Sequence, residues 1–68
     1  MTIELNGKRV DLAAGASVAE AIARLGAGGE RRGVAVAVDG EVVPRSQWDS
    51  TPLGEGQRVE IVGAIQGG

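Results

Sequence analysis

The stretch TIELNGKRVDL, residues 2–12, decides how the chain begins to fold. Apolar residues alternate on both sides of its centre: Ile3 and Leu5 before, Val10 and Leu12 after. Alternation of period two is the mark of a strand with one buried face. Between the halves stands Asn6-Gly7, a pair that accepts positive φ at both central positions of a type I′ turn. The stretch is therefore expected to be a β-hairpin.

Working outward, Ser17 and Glu20 have the spacing of a helix capping box. VAEAIARL follows, with Val18, Ile22 and Leu25 on one apolar stripe, and Glu20 four residues before Arg24 on the polar side. Gly26 is the expected stop. GAGGERRG, residues 26–33, is expected to be a loop. Its glycines and arginines hint at a phosphate cradle, but the Gly-Lys-Ser/Thr ending of that motif is absent. VAVAV, residues 34–38, is apolar on both faces, as suits an interior strand. Asp39-Gly40 is a second two-residue turn, and EVV returns as a short strand ended by Pro44. An irregular stretch follows, with one short helical turn expected around Ser46–Asp49. QRVEIV then forms the last strand, with Val59 and Ile61 inward and Arg58, Glu60 and Val62 outward.

The order β-β-α-β-β-turn-β packs as one layer of sheet under one helix. With the last strand parallel to the first, this is the β-grasp, or ubiquitin-like, arrangement: an α+β fold with a five-stranded mixed sheet and one main helix on one face. Residues 1–63 are expected to form this domain, and residues 64–68 a flexible functional tail.

Composition narrows the function. A 68-residue chain is one domain, and at that size only ~60% of the unfolded chain's surface is buried, leaving little room for an internal pocket. The hydrophobic fraction of 43% and charged fraction of 24% fit a globular domain. A net charge of −2 and a lone aromatic, Trp48, argue against nucleic acid, which needs clustered cations and stacking platforms. No apolar run approaches the ~20 residues of a membrane span. The start lacks the basic-then-apolar order of a signal peptide, so a cytoplasmic location is expected. The sequence has no Cys and no His, which removes thiolate nucleophiles, zinc ligands and the usual general base. No catalytic or metal-binding residue is assigned.

What remains is the end, AIQGG. Together with RGVAVAVDGEVVPRSQW (residues 32–48) and LGEGQRVEIV (residues 53–62), it makes the whole chain resemble the ThiS family, the sulfur-carrier proteins of thiamine biosynthesis. The V-P-R-S-x-W stretch, residues 43–48, gives the resemblance its specificity, since terminal Gly-Gly is shared with ubiquitin and the molybdopterin-synthase small subunit. The GAGGERR loop is richer in Gly and Arg than the family pattern.

The resemblance implies a protein cosubstrate rather than an enzyme. Its Gly68 carboxylate would be adenylated by an E1-like adenylyltransferase. Sulfur from a cysteine-desulfurase-derived donor would convert it to a thiocarboxylate, and a thiazole synthase would take the sulfur. ATP and magnesium would be used by the partner, and this chain would bind no cofactor. Gly67 and Gln66 would thread into the partner's active site. Elementary chemistry agrees. A terminal carboxyl, with a reference pKa of ~3.3–3.7, is an anion at neutral pH and a poor electrophile until given a leaving group. Glycine lets backbone approach where a Cβ would clash.

Val62, on the outer strand face, and Ala64 and Ile65 beyond it are expected to bind the partner, since grouped exposed apolar residues mark interfaces. Trp48 is read as filling core or covering the sheet edge, and Arg45 as a solvated or locally paired cation. Sulfur carriage to another acceptor such as molybdopterin, a ubiquitin-like modifier and a plain interaction module are the alternatives.

Overall fold

The structure, a computed structural model, describes residues 1–25 and 33–63. Within them lie β1 (Thr2–Leu5), β2 (Lys8–Asp11), α1 (Val18–Leu25), β3 (Val34–Val38), β4 (Glu41–Val42), a 3-10 turn (Arg45–Gln47) and β5 (Arg58–Gly63). The strands form one sheet in the order β2-β1-β5-β3-β4. Neighbours are antiparallel except β1 and β5, which run parallel. This is the expected β-grasp, with the last strand at the centre.

Both two-residue turns form as their residues dictate. Asn6 and Gly7 have φ of 50° and 84°, and Asp39 and Gly40 have 50° and 87°. Positive φ at both central positions gives the twist that antiparallel strands need. The Asp39 carboxylate also accepts from the Arg58 N–H at 3.0 Å and the Gln57 amide at 3.1 Å, which ties the β3–β4 turn to the start of β5.

The helix begins where the capping spacing places it. The Ser17 hydroxyl accepts from the Glu20 N–H at 3.3 Å. The free N–H groups of Val18 and Ala19 donate to Thr51 O and Trp48 O at 3.0 and 3.1 Å. The first turn of α1 is thus stitched to the loop after the 3-10 turn, which satisfies donors that helix geometry leaves unpaired. Arg24 does not serve Glu20 as the four-residue spacing implied. Its guanidinium donates to Asp11 O at 3.2 Å, joining the helix to the end of β2. Gly26 and the rest of residues 26–32, where the cap and the loop were expected, lie outside the described residues.

The core sits between the helix and the inner sheet face. Ile3, Leu5, Val18, Ala21, Ile22, Val36, Trp48, Leu53, Val59 and Ile61 are all buried. Trp48 is 1% exposed and donates its indole N–H to Val43 O at 2.9 Å, so its polar edge has a partner. β3 was expected to be an interior strand, apolar on both faces, and the structure bears out its interior place. It lies between β5 and β4, while its second face is open and Ala35 is exposed. Among the described residues the single α-helix covers one side of the sheet, and on β3 the other side carries only Ala35 and Ala37.

Candidate functional site

Five of the six site residues expected from the sequence, Ala64, Ile65, Gln66, Gly67 and Gly68, lie outside the described residues. The sixth, Val62, is described, and so is the strand that leads to the tail.

Alternation fixes the faces of β5. Val59 and Ile61 are buried, while Arg58, Glu60 and Val62 point away from the helix. Val62 is 60% exposed, and with Val42 it is one of the exposed large hydrophobic residues. Register explains its surroundings. Val62 pairs with Ala35, Glu60 pairs with Ala37, and Ala37 pairs in turn with Val42. Paired residues share a face, so Val62, Ala35, Ala37 and Val42 form an apolar strip across three strands. Val42 was not marked by sequence reasoning. Its signal is the register, which one short strand does not reveal.

Charge borders this strip. Arg58 Nε lies 3.7 Å from Glu4 Oε2, a pair whose side chains are largely solvent-exposed. Such a pair contributes little to stability. With Glu60 it makes a polar margin along β1 and β5. An open groove beside it is lined by Glu4, Asn6, Gly7, Arg58, Glu60, Ile61 and Val62. It is shallow and mixed in character. No group of three or more metal-ligating side chains gathers among the described residues. The arrangement leaves an exposed apolar strip beside the end of β5.

Asn6 was expected only as a turn residue, but the structure gives it a second task. Its side-chain Oδ1 accepts from Ile61 N–H at 2.8 Å and its Nδ2 donates to Ile61 O at 3.1 Å. The end of β5 is therefore held from the β1 side by a side chain. No sequence pattern signals this bond, because its partners are 55 residues apart.

Arg45, read as a solvated or locally paired cation, is exposed beside Pro44 at the head of the 3-10 turn. Glu55 is exposed too, and its Oε1 accepts from the Thr2 N–H at 3.0 Å. No helix among the described residues is long and apolar enough to cross a membrane.

The ThiS family profile matches residues 3–68. A crystal structure of the thiamine biosynthesis protein ThiS from Geobacter metallireducens is 30% identical, with a TM-score of 0.80 and 100% of each chain covered. An NMR solution structure of a thiamine biosynthesis protein from the same organism is 33% identical, also with a TM-score of 0.80, covering 100% of this chain and 88% of that one. No curated protein matches the chain closely enough to name a relative. The match runs through the β-grasp domain and on to the terminal Gly-Gly, and the chain belongs to the ThiS family, the sulfur-carrier proteins of thiamine biosynthesis.

Proposed function

We propose that the chain carries sulfur on its C-terminal carboxyl and delivers it for the thiazole ring of thiamine. The observation that supports this most is the family match, which extends through Gly67 and Gly68. In the first step a carboxylate oxygen of Gly68 attacks the α-phosphorus of ATP, and pyrophosphate leaves. An E1-like enzyme would supply the nucleotide site and the magnesium. The acyl adenylate then accepts the terminal sulfur of a persulfide, and AMP leaves with the electron pair of the broken C–O bond. A second thiol cleaves the resulting S–S bond, which leaves both electrons on the carrier's sulfur as a thiocarboxylate. A thiazole synthase takes that sulfur and returns the carboxylate.

The folded part serves this chemistry as a handle. Without His or Cys in the chain, the acid–base and thiol work falls to the partners. The strip of Val62, Ala35, Ala37 and Val42, next to the strand that feeds the tail, is the face by which a partner grips the carrier. Ala64 and Ile65 would extend it, and Gln66 and Gly67 would occupy the partner's channel.

Intact-mass measurement tests the reading. The chain is incubated with ATP, magnesium, an E1-like enzyme and a persulfide donor. An AMP adduct, followed by exchange of one oxygen for sulfur at Gly68, is the expected result. Absence of both would overturn carriage, and isopeptide-linked ladders in cell extracts would favour a protein modifier. Growth of a deletion strain that recovers on added thiamine assigns the acceptor, while recovery only on a molybdenum-cofactor source would reassign it.

A further inference from the structure

β1 stops at Leu5, while β5 runs on to Gly63. Their backbone pairing joins Glu4 with Arg58 and Leu5 with Val59. The Asn6 N–H adds one bond to Val59 O at 2.9 Å. There the first chain turns away. The next backbone groups of β5 on that side are those of Ile61, and the Asn6 side chain takes both, accepting from its N–H and donating to its C=O. A primary amide carries an acceptor and a donor side by side, as a peptide group does. Asn6 thus stands in for the strand residue that β1 does not provide.

The turn does not require this. Positive φ at residue 6 is met by glycine, and also by aspartate. The amide is surplus to the hairpin and serves β5. On its other side β5 is held by β3, through the Ala35–Val62 and Val34–Gly63 pairs. With Asn6 the strand end is held on two sides just before the chain continues into residues 64–68.

We propose that Asn6 is a positioning residue for the reacting carboxyl, setting the place and direction in which the chain leaves the sheet. The proposal rests on the carrier reading above. A strand end already fixed adds no further ordering cost when the residues after it enter a partner's site. Small displacements matter there, because an error of about 1 Å at a reacting centre can cost roughly a hundredfold in rate.

Steady-state adenylation of the wild-type chain, Asn6→Gly and Asn6→Asp by an E1-like enzyme tests the role. Both substitutions allow the turn, and both lose the donor to Ile61 O. The expected result is a fall in kcat of about tenfold or more with KM for the carrier changed about twofold or less, the pattern of an interaction used in the transition state. In Asn6→Gly, amide exchange should quicken at Ile61, whose N–H loses its acceptor, and stay slow at Ile3. Val10→Ala, in a half-buried residue of β2, supplies a control with lowered Tm and an untouched β5. Wild-type kcat in Asn6→Gly would overturn the proposal. So would an equal loss of kcat in Val10→Ala, which would reduce the effect to stability. A wild-type chain that accepts no AMP defeats the carrier reading itself, whereas a reactive wild type with equally reactive Asn6 variants defeats only this inference.

Discussion

Val62 and Trp48 mark opposite uses of an apolar side chain. Val62 is 60% exposed and rests on nothing larger than Ala35 across the strand pair. Val62→Asp should therefore leave stability within about 0.5 kcal/mol, the range of ordinary surface changes. It should raise KM for the carrier in adenylation by about tenfold, if the strip is the grip, since a central interface contact is worth ~1–2 kcal/mol or more. Thermal denaturation and adenylation kinetics on one preparation check both halves, and unchanged kinetics in a folded variant would remove Val62 from the docking face. Trp48, 1% exposed, has no such freedom. Trp48→Phe strands the Val43 carbonyl that now accepts the indole N–H, at a cost of about 1–3 kcal/mol. Trp48→Ala should cost about 3–5 kcal/mol, most of the ~3–10 kcal/mol that a chain of this length carries. Circular dichroism on heating should show a lowered Tm for the first and little folded protein for the second. The exposed valine was legible in the sequence because β5 alternates cleanly. The second role of Asn6 was not, because one residue type answers both to a turn and to a distant strand, and only the turn leaves a local signature.

The strands and the helix were readable one by one, while their joins were not. Alternation, Asn6-Gly7, Asp39-Gly40 and the Ser17–Glu20 spacing are local signals, and each element they mark is present. Leu53 and Ala16 are buried, yet neither belongs to a periodic run. Leu53 N–H bonds Ala16 O at 2.8 Å, so two irregular segments find each other and fill the gap under the helix start. That contact depends on tertiary placement, to which periodicity is blind. The same cause sent Arg24 to Asp11 O in place of Glu20: a backbone carbonyl brought near by the fold outcompetes a local ion pair worth only ~0.3–0.5 kcal/mol. The cap can be tested at this scale. Ser17→Ala removes the Oγ acceptor for Glu20 N–H but leaves Thr51 O and Trp48 O to hold Val18 and Ala19. The expected loss is about 0.5–1 kcal/mol, the low end for a helix cap, measured by urea denaturation. A loss near 2 kcal/mol would show that the loop carbonyls do not share the load.

For the molecule as a whole, the fold and the chemistry are separable. Among the described residues every core residue belongs to residues 3–61, and the proposed reacting group is Gly68. Adding one alanine after Gly68 should therefore leave Tm unchanged. It should abolish thiocarboxylate formation, because the Gly68 carboxyl becomes a peptide carbonyl and the new end carries a Cβ into a space suited to glycine. Thermal melts beside intact-mass assays decide this, and a thiocarboxylate on the extended chain would sink the proposed tail chemistry. The central place of β5 carries one more consequence. A chain is made from its N-terminus, and domains fold as they emerge during synthesis. Here β2-β1 and β3-β4 are two half-sheets that, among the described strands, are hydrogen-bonded to each other only through β5, which is made after the other four. A nascent chain halted before residue 58 lacks the piece that joins them and cannot close its core. Interrupted synthesis therefore yields unfolded fragments open to proteolysis, rather than compact decoys that dock on a partner without Gly68 to present.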